Sequence, residues 1–547
     1  MKKNYLLALL SAFLLWLAWP PIPFTAPLLW IALVPLLWAM EAVMRDPYNK
    51  KGLKITLLGG FTGLLWNTAS IYWVFNALNA AMPVYAAALV SLIPFALAAA
   101  LMALAFRLYY QLRKHHGIGL SMAGLVSFWI TYEYLHQTWD LAFPWMNLGN
   151  GFASSHQLVQ WYEYTGVYGG TLWIWLANIL LFMGILSVKD KFGPIHRYKW
   201  FVGFLLLVTL PSGWSLYRYT TYEEHINPAD IVVVQPNIDP YGKYSFLSPE
   251  SQLDQLIRLS DSVAQPNTEF FIWPETAIAS PRGYNEDEFR ENPAFLRLQD
   301  FLSNYKNGNV LSGIESYRVY HQPETPTARK FEGAELYYDA FNAAVLVENS
   351  ARLQFYHKSK LVAGVEQLPF GSALAFMTPL FQAFGGTTGG YGSQETPSVF
   401  YSQSGIGAAP VICYESIWGS YVAEYVEQGA QFIAVITNDG WWGNTAGKDQ
   451  HLAYAKLRAI ETRRWVARSA NTGISAFINQ RGDVVQQTDW WTADALKQDI
   501  NLNEAITFYV RAGDYLAYAG CAGSLIFGTV LLVTFGRRSR YRKQAQP

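Results

Sequence analysis

Residues 409–416 read APVICYES, an apolar, β-branched run that stops at Cys413 and is followed at once by Tyr414 and Glu415. Such a run has the composition of a strand, and it is too apolar to turn one face to water. It therefore predicts a strand covered on both sides, by helices or by a second sheet. Cys413 is one of 2 cysteines in 547 residues, and the other, Cys521, lies in an apolar run near the C-terminus. With no disulfide partner in prospect, Cys413 is either a small buried apolar residue or a nucleophile.

Working outward, strands of the same kind recur from Thr220 onward: DIVVVQPN, EFFIWPET, GNVLSGIE, NAAVLVEN, FIAVITND and ISAFINQRGDVVQQ. Between them, SQLDQLIRLSDSVA, NPAFLRLQDFLSNY, SYVAEYVEQGA and DQHLAYAKLRAIETRRWVARSA repeat their apolar residues at helical steps. Residues 218–513 thus form an α/β domain, with Arg481-Gly482-Asp483 turning a hairpin. The segment 366–397 is long, apolar at its centre (ALAFMTPLFQAF) and Gly-rich toward its end, which predicts a lid.

On both sides of this domain the composition changes. Charged residues make up only 15% of the chain against about 25% in soluble domains, aromatic residues reach 16%, and the formal net charge is zero. Nothing in that balance suits a nucleic-acid partner, and the apolar bulk predicts a polytopic membrane protein. Eight candidate spans fall near 4–20, 25–43, 54–77, 84–108, 117–137, 163–187, 199–217 and 514–535. The first resembles a signal peptide but lacks a small-residue cleavage site, so it is expected to be retained. Lys and Arg concentrate at 45–54, 107–114, 189–199 and 537–543 and are missing from the opposite short loops. That asymmetry places both termini in the cytoplasm and residues 218–513 on the far side, the periplasm of a Gram-negative cell. The expected organisation is a seven-span bundle over 1–217, the α/β domain over 218–513, and an eighth span with a basic tail over 514–547.

Three polar residues end strands of the α/β domain: Glu275 in FFIWPETA, Lys358 in FYHKSKL, and Cys413. Singly, each has an ordinary reading as a helix cap, a solvated charge or a core residue. Together they match a chemistry. A cysteine attacking a carbonyl needs a base for its proton, which Glu275 could be, and donors for the developing oxyanion, which Lys358 and the Tyr414 N–H could be.

The motifs WPETA, YHKSKLVAGVE and PVICYES, in this order, resemble the Glu-Lys-Cys signature of the nitrilase superfamily, and the surrounding spans resemble its membrane-embedded acyltransferase branch. The resemblance implies an α-β-β-α sandwich, with Glu275 as general base, Lys358 as oxyanion stabiliser and Cys413 as nucleophile. It also implies site roles for Glu366, Tyr414, Glu415 and Asn342. Two positions depart from the pattern: AGVE (363–366) stands where Pro-Phe-Gly-Glu is usual, and Tyr244 stands where a lid tryptophan is usual. The implied reaction passes an acyl chain from a membrane phospholipid, through a Cys413 thioester, to the α-amino group of a diacylglyceryl-cysteine apolipoprotein. No cofactor or metal enters it, and a monomer suffices.

Other readings stay open. A hydrolase of the same superfamily would use water as acceptor. A papain-like pair would recruit His451 or His357, although His451 opens an amphipathic helix, where a solvated histidine is expected, and His357 should point away from Lys358. Trp441, in NDGWWGNT, is read as an aromatic edge to the site or as loop packing. Trp145, in AFPWMNLG, is read as lining a lipid entrance or as an interfacial anchor. Glu133, inside the fifth span, is a functional candidate because a carboxylate in hydrocarbon is costly.

Overall fold

The computed structural model describes residues 1–47, 49–371 and 390–544. The chain divides into two compact units, one comprising Met1–Tyr72, Ala88–Thr220 and Asp514–Pro547, the other Trp73–Ala87 and Thr221–Gly513.

The first unit is helical: α1 (Lys2–Leu17), α2 (Val34–Arg45), α3 (Lys51–Ser70), α5 (Val84–Arg113, after α4 below), α6 (Ile118–Leu135), α7 (Tyr162–Lys189), α8 (Pro194–Thr221) and a last helix, Tyr515–Gln544. Among the described residues, Ala26–Arg45, Val84–Arg113, Tyr162–Lys189, Arg197–Thr221 and Tyr515–Arg537 are long and apolar enough to cross a membrane. Small residues let α6 and the last helix approach: a Cβ on Gly520 would lie 2.6 Å from Ile130 and one on Gly523 2.5 Å from Ser127. Backbone groups left without helical partners are met by buried side chains, as this setting demands. Asn178 accepts from the Leu33 N–H at 2.7 Å and donates to the Leu29 carbonyl at 2.7 Å.

One expected span is shorter than its composition suggests. The run 54–77 breaks after Ser70, and Trp73–Ala81 forms a separate helix, α4. The cause is tertiary: Trp73 belongs to the second unit, where its Nε1 donates to Gln450 Oε1 at 3.0 Å and its ring lies 4.9 Å from that of Trp442.

The second unit is built on two sheets. One is 8-stranded, with β1 (Pro228–Gln235), β2 (Phe270–Ile272), β3 (Tyr284–Asn285), β4 (Asn309–Tyr320), β5 (Arg329–Lys330), β6 (Tyr337–Glu348), β7 (Leu353–His357) and β14 (Asp494–Asn501). Its path is β14-β1-β2-β4-β6-β5, with β3 on β4 and β7 on β6. The 6-stranded sheet runs β13-β12-β11-β10-β9-β8: β8 (Phe400–Tyr401), β9 (Gly407–Ile412), β10 (Phe432–Thr437), β11 (Val466–Ala470), β12 (Ala476–Ile478) and β13 (Val484–Gln487). The expected hairpin is β12–β13, with Gly482 at φ 87 in its turn.

The sheets stack face to face. Phe270 and Phe432 meet edge-on at 5.2 Å, and Ser469 donates to the Val234 carbonyl at 2.7 Å. Helices α9 (Pro249–Val263) and α10 (Pro293–Leu302) bury Leu253, Leu256, Leu298 and Phe301 against Val232, Phe271 and Val345 on the outer face of the first sheet. On the second sheet lie α11 (Gly419–Glu427) and α12 (Ala446–Thr462), and Tyr425 of α11 donates to the Pro410 carbonyl of β9 at 3.2 Å. The result is the α-β-β-α sandwich expected from strands without a wet face.

Candidate active site

Glu275, Lys358 and Cys413 each follow the last residues of a strand: β2, β7 and β9. Strand ends are where the ladder releases its backbone and a side chain can turn toward a common centre. Lys358 is 1% exposed, and its Nζ donates to Glu275 Oε1 at 3.1 Å and to Glu366 Oε1 at 2.8 Å. Burial opposes the ammonium, but Glu275, Glu366 and the nearby Cys413 outweigh it and hold the Lys358 pKa well above the usual lysine range. Asn342, on β6, completes the group by donating its Nδ2 to Glu275 Oε1 and Glu366 Oε1, each at 2.8 Å. The AGVE departure leaves Glu366 in place, because the Val362 N–H donates to its Oε2 at 2.7 Å.

Cys413 opens a short 3-10 turn with φ 50, and Thr276, next to Glu275, has φ 52. Left-handed backbone on non-glycine residues costs of order 1–3 kcal/mol each and collects at functional sites. Burial pushes the Cys413 thiol up, Glu275 adds to the shift, and Lys358 with a hydrogen bond to Thr437 only partly offsets it. The shift favours a thiol over a thiolate, so any nucleophilic use of this sulfur calls for a base beside it.

Glu415 is fully buried and ties two loops together. Its Oε2 accepts from the Ile412 N–H at 2.8 Å, and its Oε1 accepts from the Ser359 N–H at 2.7 Å and the Tyr356 hydroxyl at 2.5 Å. Burial pushes its pKa up to about 7 against these hydrogen bonds. Its place is behind the turn that carries Cys413, where it binds that turn to the one carrying Lys358. Tyr414 is buried edge-on to Trp418, with ring centroids 4.7 Å apart.

The Tyr244 departure has a structural counterpart. Its hydroxyl donates to Glu315 Oε2 at 2.5 Å. Neighbouring Lys243 donates to the Thr276 carbonyl and, at 2.8 Å, to Thr276 Oγ1, so the loop beyond β1 is fastened beside Glu275. Burial lowers the Lys243 pKa, with Glu315 and Glu275 pulling it back. Trp441 stays 43% exposed, with its ring 5.0 Å from that of Tyr241 on the same loop, and no described contact joins it to Glu275, Lys358 or Cys413.

Trp145 and His451 depart from expectation. Trp145 is fully buried in the helical unit, which fits neither an exposed lipid entrance nor an interfacial anchor. Glu133 is buried as a brace: it accepts from the Leu148 N–H at 2.8 Å, the Thr171 hydroxyl at 2.8 Å and Trp129 Nε1 at 2.9 Å, so it holds irregular backbone. His451 is not solvated but fully buried, and its Nε2 faces the Cys413 carbonyl oxygen, not the thiol. His357 does point away from Lys358, stacking on Phe341 at 3.7 Å and meeting Glu286 at 2.6 Å. The lid's apolar centre, 373–384, lies outside the described residues.

Sequence reasoning missed Lys243, Glu315, Tyr391 and Gly313. The Tyr391 N–H donates to the Glu366 carbonyl at 2.9 Å, and burial followed by Glu315 and Glu366 raises its phenol pKa. Gly313, on β4, leaves no room for a side chain: a Cβ there would lie 2.3 Å from the Thr276 nitrogen and 2.5 Å from Glu275 Cα. Its position inside the apolar strand GNVLSGIE was the available signal, since a strand glycine often marks close approach of another backbone.

Comparison with known proteins agrees with this architecture. A family model described as the apolipoprotein N-acyltransferase N-terminal domain matches residues 11–180, and one described as carbon-nitrogen hydrolase matches residues 231–509. An apolipoprotein N-acyltransferase of Chlorobaculum tepidum is 30% identical, over 98% of this chain and 98% of that protein. One of Geobacter metallireducens is 28% identical, over 98% and 96% respectively.

Two outcomes follow from the geometry, both read as acylation of Cys413 by a p-nitrophenyl ester. Gly313→Ala should displace Glu275 and slow the reaction by about 100-fold, the size of a lost general base, in a protein that still melts cooperatively. A native rate would mean that Glu275 does not need its present backbone position. Glu366→Gln removes a carboxylate that keeps Lys358 protonated. The native pH profile should show no alkaline loss from Lys358 up to about pH 10, and the variant should bring such a loss to lower pH, because the lysine pKa falls. Identical alkaline limbs would contradict the role given to Glu366.

Proposed function

This chain belongs to the apolipoprotein N-acyltransferase family, with a carbon-nitrogen hydrolase domain over 231–509, and on that premise we propose that it N-acylates lipoproteins through a thioester on Cys413. The observation that carries the proposal is the shared lysine: Lys358 bonded to Glu275 and Glu366, in electrostatic contact with Cys413.

In the first half-reaction Glu275 takes the thiol proton as sulfur attacks the ester carbonyl of a membrane phospholipid. Negative charge passes to the carbonyl oxygen, where the Lys358 ammonium and the Tyr414 N–H stabilise it. The attack forms the C–S bond; collapse then restores the carbonyl, breaks the ester C–O bond and expels the lysophospholipid alkoxide, which takes the proton back from Glu275. In the second half-reaction the α-amino group of a diacylglyceryl-cysteine acceptor attacks the thioester. Glu275 takes the amine proton, and collapse yields the amide and restores the thiol. Asn342 and Glu366 keep Glu275 and Lys358 apart in charge and close in space, while Glu415 keeps the two loops in register. This is acyl transfer with proton movements, and it calls for no cofactor.

A phospholipid donor is supported by the apolar helices carried on the same chain, which would be surplus in a soluble amidase. The Lys and Arg clusters at 45–54, 107–114, 189–199 and 537–543 support spans in the bacterial inner membrane with residues 218–513 on the periplasmic side. All three reacting groups come from one chain, so a monomer suffices.

Incubation with acyl-labelled phospholipid should leave a hydroxylamine-labile label on the native protein and none on Cys413→Ala. A lipopeptide amine should then move the label into a stable amide. Equal labelling of Cys413→Ala would remove the nucleophile from the account, and label lost to water equally with and without amine would point to a hydrolase.

A further inference from the structure

A second buried polar cluster, used by none of these steps, surrounds the backbone of the nucleophile. Ser416 Oγ donates to the Cys413 carbonyl oxygen at 2.8 Å, and His451 Nε2 lies 3.2 Å from that oxygen and 2.8 Å from Ser416 Oγ. On its other side, His451 Nδ1 is 3.0 Å from Asp439 Oδ1, and Asp439 is ion-paired with Arg468. Ser416, His451, Asp439 and Arg468 are all fully buried. Arg468 also lies 3.2 Å from His451 Nδ1. With Nδ1 accepting from it, the Nε2–H and the Ser416 hydroxyl both serve the carbonyl, whereas with the Nδ1–H donated to Asp439 the single Ser416 proton is the carbonyl's donor and Nε2 competes for it.

That carbonyl belongs to the peptide whose other edge is the Tyr414 N–H. A trans peptide is planar, with its C=O and N–H pointing in opposite directions, so fixing one fixes the other. The backbone here is already unusual: Cys413 has φ 50, a left-handed conformation that persists only where its surroundings hold it.

We propose that Ser416, His451 and Asp439 are positioning residues that lock the Cys413–Tyr414 peptide plane and so aim the Tyr414 N–H as an oxyanion donor. The proposal rests on the acyl-transfer reading, since an oxyanion forms only when sulfur adds to a carbonyl. His451 thereby acts on the reaction through the backbone and exchanges no proton with the thiol.

Two probes of Cys413 in the full-length protein separate aiming from reactivity. A long-chain fatty aldehyde adds reversibly: the C–S bond forms, the carbonyl π pair moves to oxygen, and that oxygen takes up the proton released by the thiol. Its affinity reports the oxyanion site. Iodoacetamide also forms a C–S bond but expels iodide, so no oxyanion develops. Ser416→Ala, which removes a single hydroxyl, and His451→Ala should each weaken aldehyde binding and slow thioester formation by about 10- to 100-fold, a fraction of the loss seen when a whole oxyanion donor is deleted. Alkylation by iodoacetamide and the phospholipid KM should stay within about 2-fold. His451→Gln, which can return an N–H donor near the Nε2 position, should recover most of the loss. Unchanged aldehyde affinity in both alanine variants would overturn the proposal, as would alkylation falling in the same proportion. If the native protein takes neither acyl group nor aldehyde at Cys413, the acyl-transfer reading itself fails, and this proposal with it.

Discussion

One buried ammonium organises the catalytic unit. Lys358 has left water entirely and is held by two carboxylates, with Asn342 bridging both. A desolvated charge survives only when its partners are close and well hydrogen-bonded, and removing a partner from such a group costs about 3–5 kcal/mol. The arrangement therefore constrains far more than three side chains. Glu275 must end β2 where Gly313 lets its backbone pass, Glu366 must be held by Val362 and Asn342, and the turn carrying Cys413 must stay tied to the lysine's turn by Glu415.

The same constraint sets the electrostatics of Cys413. Burial and then Glu275 discourage a resting thiolate, while Lys358 favours negative charge beside it. In the proposed reaction the rate would come from groups placed for the transition state and not from a reactive ground state. Left-handed backbone follows the same layout, at Thr276 beside Glu275 and at Cys413 itself.

How much of this could be read from residues alone depends on how local each cause is. Glu275, Lys358 and Cys413 stood out because each breaks an apolar strand with a polar or reactive side chain, and that signal lies within a few residues. The sandwich was legible because its strands lack a polar face. His451 was not, because it follows the polar run Lys448-Asp449-Gln450 and only the fold shows that the segment lies against the Cys413 turn. Gly313 and the Tyr244–Glu315 pair depend on contacts between distant strands and loops. The break after Ser70 was hidden because an apolar run reads the same whether it continues or ends to let Trp73 join the other unit. Trp145 misled for a related reason: an aromatic residue in a short loop between apolar spans suits a membrane interface, and here it is packed inside the helical unit.

The central claim is that Lys358 makes Cys413 competent. Intact-mass measurement of Lys358→Met, a near-isosteric loss of charge, after incubation with phospholipid tests it most directly. The account predicts an acyl mass increment on the native protein and none on the variant, although its cysteine is still present and still alkylated by iodoacetamide. An acyl increment appearing on Lys358→Met at the native rate would contradict it.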